Sequence, residues 1–134
     1  MSSTSTVTAS PSIVNWFEIP VRDLARASAM YAAMLDTKLE HSDFGGVPHA
    51  VISNPDHSCV SGALIADPKR PPVRGSGTVL YLRATDGVAR CLARAVAAGA
   101  KVLQPLTEIA PHGTIALVED LDGNVIGLHA EPAR

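Results

Sequence analysis

The amino-acid sequence predicts an α+β fold built from two tandem βαβββ modules. The first observation behind this prediction is an internal repeat at a constant offset of 63 residues, which places Asp23 on Asp86 and Lys38 on Lys101. The second is that each copy contains one segment with helical periodicity, flanked by segments that alternate as strands do. A unit of about 55 residues buries little surface alone, so the two copies are expected to share one core.

The first module opens with a strand over residues 14–20. Alternation places Trp16 and Glu18 on one face of this strand, and Phe17 and Ile19 on the other. The second face is apolar and is expected to pack beneath the helix. The first face is therefore expected to point into whatever space the sheet curves around.

Each module continues with an amphipathic helix. Asp23 and Asp86 are predicted to cap the two helices, because a carboxylate can accept hydrogen bonds from the free amides of a first turn. Gly99 follows the second helix, where a left-handed residue commonly ends a helix. The apolar positions repeat at helical spacing and are Leu24, Ala27, Tyr31, Met34 and Leu35 in the first helix, and Val88, Cys91, Leu92, Ala95 and Val96 in the second.

Three strands are predicted after each helix. The second module ends in a hairpin whose strands, 114–120 and 125–131, are joined through Asp122-Gly123, a strong turn signal. A hairpin with a looser turn at 55–58 is predicted in the first module. The strands that precede the hairpins are placed at 38–42 and 101–105, and the Pro/Gly-rich segment 68–76 is predicted to link module one (13–67) to module two (77–132).

Composition narrows the possible functions. Apolar residues make up 46% of the 134 residues, and the net charge of −2 comes without a basic stripe, which argues against nucleic-acid binding. No segment approaches the roughly 20 apolar residues of a membrane span. Residues 1–12 are expected to be a disordered tail without signal-peptide character. Cys59 and Cys91 show no paired spacing, which indicates a reducing cytoplasm, with Cys91 as a small buried hydrophobe.

The paired modules, the opening WFEIPVRDLARA and the closing ALVEDLDGNVIGLH resemble the vicinal oxygen chelate superfamily of glyoxalase I, extradiol dioxygenases and bleomycin-resistance proteins. The resemblance implies one domain over residues 13–132, whose curved sheet forms a half-barrel around a cavity, usually in a homodimer. In metal-dependent members the ligands lie on the first and last strand of each module. The corresponding positions here are Trp16, Ala63 (or Ser61), Val79 (or Thr78) and Gly127. None is a usable ligand, so no metal and no cofactor is predicted.

Glu18 lies two residues beyond Trp16, and His129 lies two residues beyond Gly127, so alternation places both side chains on the inward face. They are the candidate catalytic residues. If their strands are neighbours, a carboxylate and an imidazole face one cavity, an arrangement suited to general acid–base catalysis. The alternative is that the two groups simply satisfy each other's hydrogen bonds.

Trp16 and Tyr81 are the candidate ligand-binding aromatics, since both lie on the inward face and the chain has five aromatic residues in all. Trp16 alternatively fills the space of the missing metal site. Arg83 is placed to meet an anionic group or to be solvated, and His112 lies in a loop that covers the cavity or faces solvent. A surface role is predicted for the three remaining histidines, His41, His49 and His57.

These observations favour a metal-free protein that binds a small, partly apolar or aromatic molecule. The alternative is a metal-independent isomerase or lyase that uses Glu18 and His129 as acid and base. A third possibility is an assembly module whose pocket is filled by side chains.

Overall fold

The computed structural model describes residues 13–53, 60–75 and 77–132. The first module contains β1 (Trp16–Pro20), α1 (Leu24–Leu35), β2 (Glu40–Phe44), β3 (Val47–Ile52) and β4 (Ser61–Ile65). The second contains β5 (Leu80–Arg83), α2 (Val88–Ala97), β6 (Lys101–Glu108), β7 (Thr114–Glu119) and β8 (Val125–Ala130).

The strands form two four-stranded sheets with matching topology. Their strand orders are β1-β4-β3-β2 and β5-β8-β7-β6. In each sheet the first strand pairs in parallel with the last, and the other neighbours are antiparallel. The predicted α+β fold of two tandem βαβββ modules is therefore confirmed.

The core lies between the helices and one face of each sheet. Ile19, Leu64, Leu82 and Leu128 are buried there, and α1 and α2 also contact each other. Phe17 packs against this core, so the predicted apolar face of the first strand is confirmed. The opposite face of each sheet, here called the open face, carries no helix of the described residues.

The two helices begin differently. Asp23 caps α1 and accepts from the Arg26 amide at 3.0 Å, as predicted. The predicted cap at Asp86 is wrong: the N-cap of α2 is Gly87, without a side-chain hydrogen bond. The Asp86 carboxylate is instead engaged by both terminal nitrogens of Arg94, at 2.8 and 2.9 Å. A bidentate guanidinium is the stronger partner for a carboxylate.

The observed strand boundaries agree best with the predicted ones where the sequence contains a strong turn signal. The hairpin of β7 and β8 lies where the sequence predicts it. In contrast, β2 begins two residues later than predicted, and β6 extends to Glu108 through two register irregularities. The tail at 1–12 and the looser turn at 55–58 lie outside the described residues.

The β7–β8 turn joins the two halves of the molecule. Tyr31 of α1 is fully buried and donates to Asp120 Oδ2 at 2.6 Å. The Asn124 side-chain amide donates to Asp120 Oδ2 and to the Pro20 carbonyl, both at 2.9 Å. Asp122 accepts from the Arg22 amide at 3.0 Å. The turn is therefore a buried polar contact between the modules as well as a hairpin connection.

Neither α1 nor α2, the two helices of the described residues, has the length and apolar character needed to cross a membrane.

Candidate functional site

The open face of the first sheet carries a polar cluster around Glu18. Trp16 and Glu18 lie on this face, where Glu18 is opposite Ala63 on β4. Trp16 is 44% exposed, whereas Ala63 is fully buried. The small side chain of Ala63 leaves room on the sheet for the longer carboxylate arm of Glu18.

Three side chains contact the Glu18 carboxylate. The Trp16 indole N–H donates to Oε2 at 3.2 Å, and His49 Nε2 lies 3.6 Å from the same oxygen. Arg70 Nη1 is 3.0 Å from Oε1, while Arg70 Nε donates to Asp67 at 3.4 Å. Both carboxylate oxygens of Glu18 are therefore engaged by donors of the protein itself.

These contacts determine the charge of Glu18. Burial by itself would raise the pKa of this carboxyl group. The hydrogen bonds from Trp16 and Arg70, the charge of Arg70 and the contact with His49 outweigh burial, and the pKa of Glu18 lies below its ordinary value. Glu18 is thus a carboxylate at neutral pH.

The prediction of a surface role for His49 is wrong, because this residue is only 6% exposed. Its Nδ1 lies 2.8 Å from the Val47 carbonyl, and since a carbonyl can only accept, Nδ1 carries the hydrogen. Phe44 packs edge-on against the imidazole, with ring centroids 4.8 Å apart. Phe44 on one side and Glu18 on the other cover the His49 side chain.

A second cluster lies on the open face of the other sheet. Tyr81 is opposite Gly127, and Arg83 is opposite His129. A Cβ atom at Gly127 would collide with the Tyr81 ring, so the ring lies directly over the glycine. Tyr81 remains 47% exposed in this position. The arrangement is an aromatic surface with a basic pair two residues further along the strands.

His129 and His112 contact each other through the main chain of His112. His129 Nε2 lies 2.8 Å from the His112 carbonyl. The loop is closed by hydrogen bonds from the Ile109 amide to the Gly113 carbonyl and from the His112 amide to the Ile109 carbonyl, both at 2.9 Å. The His112 loop is therefore held against the end of β8.

The two candidate catalytic residues lie on different sheets. The condition that their strands be neighbours is not met, because β1 pairs with β4, whereas β8 lies between β5 and β7. The imidazole that contacts Glu18 belongs to His49, and the register partner of His129 is Arg83. Strand order, which the repeat alone does not specify, places the two residues on different sheets.

Sequence reasoning missed two members of the Glu18 cluster. For His49 a signal was available: Ala50 and Ile52 are the core residues of β3, so alternation places His49 on the face that carries Glu18. Arg70 lies after β4 in the segment assigned to the linker. No spacing rule identifies such a residue before the chain path is known.

The residues that the resemblance places at the superfamily's metal positions do not fit a metal ion. Trp16 and Val79 have no suitable lone pair, Ala63 is buried and apolar, and the space above Gly127 is occupied by the Tyr81 ring. Within residues 13–53, 60–75 and 77–132 there is also no group of three or more His, Cys, Asp or Glu side chains that could hold a metal.

A hollow of about 180 Å³ lies at the seam between the two sheets. Glu18 and Pro20 line it from β1, and Thr78, Asn124 and Val125 line it from the second module. This volume is below the roughly 300–1,000 Å³ typical of small-molecule sites. A ligand of ordinary size would therefore extend from the seam onto the open faces.

Cys91 has no chemical role in this site. It is fully buried, as predicted, and its Sγ donates to the Met34 carbonyl at 3.2 Å. Burial raises the pKa of the thiol, which disfavours the reactive thiolate.

The repeated modules, the sheet topology and the open faces define a glyoxalase-like class of domain. The chain belongs to the Glyoxalase/Bleomycin resistance protein/Dioxygenase superfamily, whose family model matches residues 13–128. Because this fold supports several unrelated activities, membership does not identify the ligand.

Solved structures include two similar proteins from Streptomyces sp. CB03234. One, described as a glyoxalase/bleomycin resistance protein, is 31% identical, with a TM-score of 0.61 over 87% of this chain and 100% of that one. The other, TnmS3, an antibiotic binding protein, is 30% identical, with a TM-score of 0.62 over 93% of this chain and 100% of that one. A glyoxalase I variant from Zea mays, 20% identical, has a TM-score of 0.69 over 86% of this chain and 44% of its own, which shows the fold alone. No curated protein sequence matches this chain.

Proposed function

We propose that this chain is a metal-free member of its superfamily that binds a small, partly apolar or aromatic molecule on the open faces of its sheets. The observation that carries the proposal is the exposure of two aromatic rings, Trp16 and Tyr81, on these faces. Aromatic rings left in water on a concave surface favour a ligand that covers them. The similarity to TnmS3, an antibiotic binding protein, supports the same class of function.

The Glu18 cluster supports binding better than catalysis. The carboxylate already accepts from Trp16 and Arg70, and its lowered pKa makes it a weak base. Its contact with the indole holds the Trp16 ring in a defined orientation. The alternative of an isomerase or lyase that uses Glu18 and His129 is less well supported, since the two groups lie on different sheets.

We further propose that the protein acts as a homodimer in the cytoplasm. Trp16, Phe44, Val79 and Tyr81 are all more than a third exposed, and β1 and β5 are edge strands of their sheets. A second copy placed opposite these faces would enlarge the small hollow at the seam into a site of ordinary volume, with the ligand between the two copies. Native mass spectrometry tests this: a monomer at micromolar concentration contradicts it.

The binding proposal is tested with 2-naphthamide, a neutral planar probe, by NMR titration of the ¹⁵N-labelled chain. Trp16 is the single tryptophan, so its indole N–H gives one identifiable signal. We expect this signal to shift in a saturable manner. The Trp16→Ala variant is expected to bind at least fivefold more weakly, since a stacked ring contributes roughly 1 kcal/mol.

Val96→Ala is the matched control, because Val96 is 49% exposed but lies on α2, away from the sheets. Its affinity for the probe should equal that of the wild type. An indole signal that does not move, or equal losses in both variants, would refute binding at this face.

A further inference from the structure

Arg83 and His129 form a basic pair on the open face of the second sheet. They are direct register partners in the parallel strands β5 and β8, so their side chains leave the sheet on the same face. Neighbouring strands lie about 4.8 Å apart, which places both groups within reach of one small anion. Tyr81 precedes Arg83 by two residues and presents its ring on that face, above Gly127.

The charge of Arg83 is weakly compensated. Its ion pair with Glu131 is 3.8 Å long, and the side chains are 59% and 63% exposed. An exposed pair of this length contributes little. In contrast, Arg94 makes two contacts below 3 Å with Asp86, and Arg70 lies 3.0 Å from Glu18. The Arg83 guanidinium is therefore available to an incoming group.

His129 is oriented by the loop beside it. Because the His112 carbonyl can only accept, the hydrogen in this contact lies on His129 Nε2. This contact leaves the other ring nitrogen, Nδ1, to a ligand. The oriented imidazole lies beside the weakly paired guanidinium of Arg83, whose N–H groups are the donors for an oxyanion.

We propose that Arg83, beside His129, forms an anion subsite next to the Tyr81 ring, and that the ligand is a planar aromatic molecule that carries a carboxylate or a similar oxyanion. The ring of the ligand would lie on Tyr81 while its anionic group meets the guanidinium. This inference rests on the proposed binding function, and it assigns the chemical class of the ligand.

The test compares 2-naphthoate with 2-naphthamide, which have the same shape but differ in charge, by NMR titration of the full chain. We expect the wild type to bind naphthoate about fivefold more tightly, the size of one solvent-exposed charge contact. The amide signals of Tyr81, Arg83 and His129 should shift. In Arg83→Gln the preference should disappear, while the affinity for naphthamide stays unchanged.

Two further variants sharpen the test. Glu131→Gln removes the competing carboxylate and should increase the affinity for naphthoate. Arg90→Gln removes the same charge from an exposed position on α2 and should leave the preference intact.

The outcomes separate the two proposals. Equal affinity of the wild type for both probes refutes the anion subsite but leaves aromatic binding in place. Equal weakening of both probes in Arg83→Gln, or loss of the preference in Arg90→Gln, also refutes the subsite. Failure of both probes to bind refutes the subsite and the proposed function together.

Discussion

Replacing Tyr31 with phenylalanine should destabilise the protein by about 2 kcal/mol. The substitution removes the hydroxyl that donates to Asp120 Oδ2 at 2.6 Å, and both side chains are buried. A hydrogen bond to a charged group contributes roughly 1.5–3 kcal/mol. Asp120 keeps the amides of Asp122 and Asn124 and the Asn124 side chain as donors, so its carboxylate is not left unpaired. The loss should therefore stay near the middle of that range.

The free energy of unfolding is measured by urea denaturation followed by far-UV circular dichroism. For a chain of this length 2 kcal/mol corresponds to a decrease in melting temperature of about 8 °C. Tyr81→Phe is the matched control, because the second tyrosine is 47% exposed, and we expect a change below about 0.5 kcal/mol. If Tyr31→Phe costs no more than this control, the buried contact between the modules does not stabilise the fold as we argue.

The same tyrosine predicts a loss of stability at alkaline pH. Burial, followed by the charge of Asp120 and the hydrogen bond to it, raises the pKa of Tyr31 well above its ordinary value. The neutral hydroxyl therefore stabilises the fold fully below the unfolded pKa of about 10, and this contribution is lost as the pH rises toward the folded pKa. In Tyr31→Phe the free energy of unfolding should depend less steeply on pH above 10. Identical alkaline slopes in the two proteins would contradict this reasoning.

Two further predictions concern the candidate site. The pKa of Glu18 is lowered, so its contribution is present above the unfolded value of about 4.3 and is lost as the pH falls through the folded value. Glu18→Gln should therefore have a lower free energy of unfolding than the wild type at pH 7, and the difference should be smaller at pH 3. Urea titrations at both pH values measure this difference. If it is the same at the two pH values, the charge of Glu18 is not responsible. Added nickel, zinc, manganese or iron should produce neither stoichiometric uptake nor a thermal shift, because the positions of Ala63 and Gly127 offer no ligand atoms. A tight one-to-one complex would show that a different metal site exists.

Much of the fold was predictable because it depends on local rules. Alternation along β1 correctly separates Phe17 and Ile19 from Trp16 and Glu18, since successive side chains of a strand point to opposite faces. The Asp-Gly signal places the second hairpin correctly for a similar reason, because turn chemistry acts over a few residues. The cap of α2 shows the limit of local rules: Arg94 lies eight residues beyond Asp86 and takes its carboxylate away from the helix start.

The sequence by itself determined the repeat, the helical and strand periodicity, and the face on which each candidate side chain lies. Only the tertiary structure decided which of those side chains meet. Alternation places Glu18, His49 and His129 on open faces alike. Strand order brings His49 to Glu18 and places Arg83 opposite His129, and the path of the chain after β4 brings Arg70 to Glu18. The tertiary structure also places Asp120, which the sequence identifies only as a hairpin residue, in a buried hydrogen bond with Tyr31. The physical reason is that periodicity is a property of neighbouring residues, whereas strand order and register arise from contacts between residues far apart in the chain.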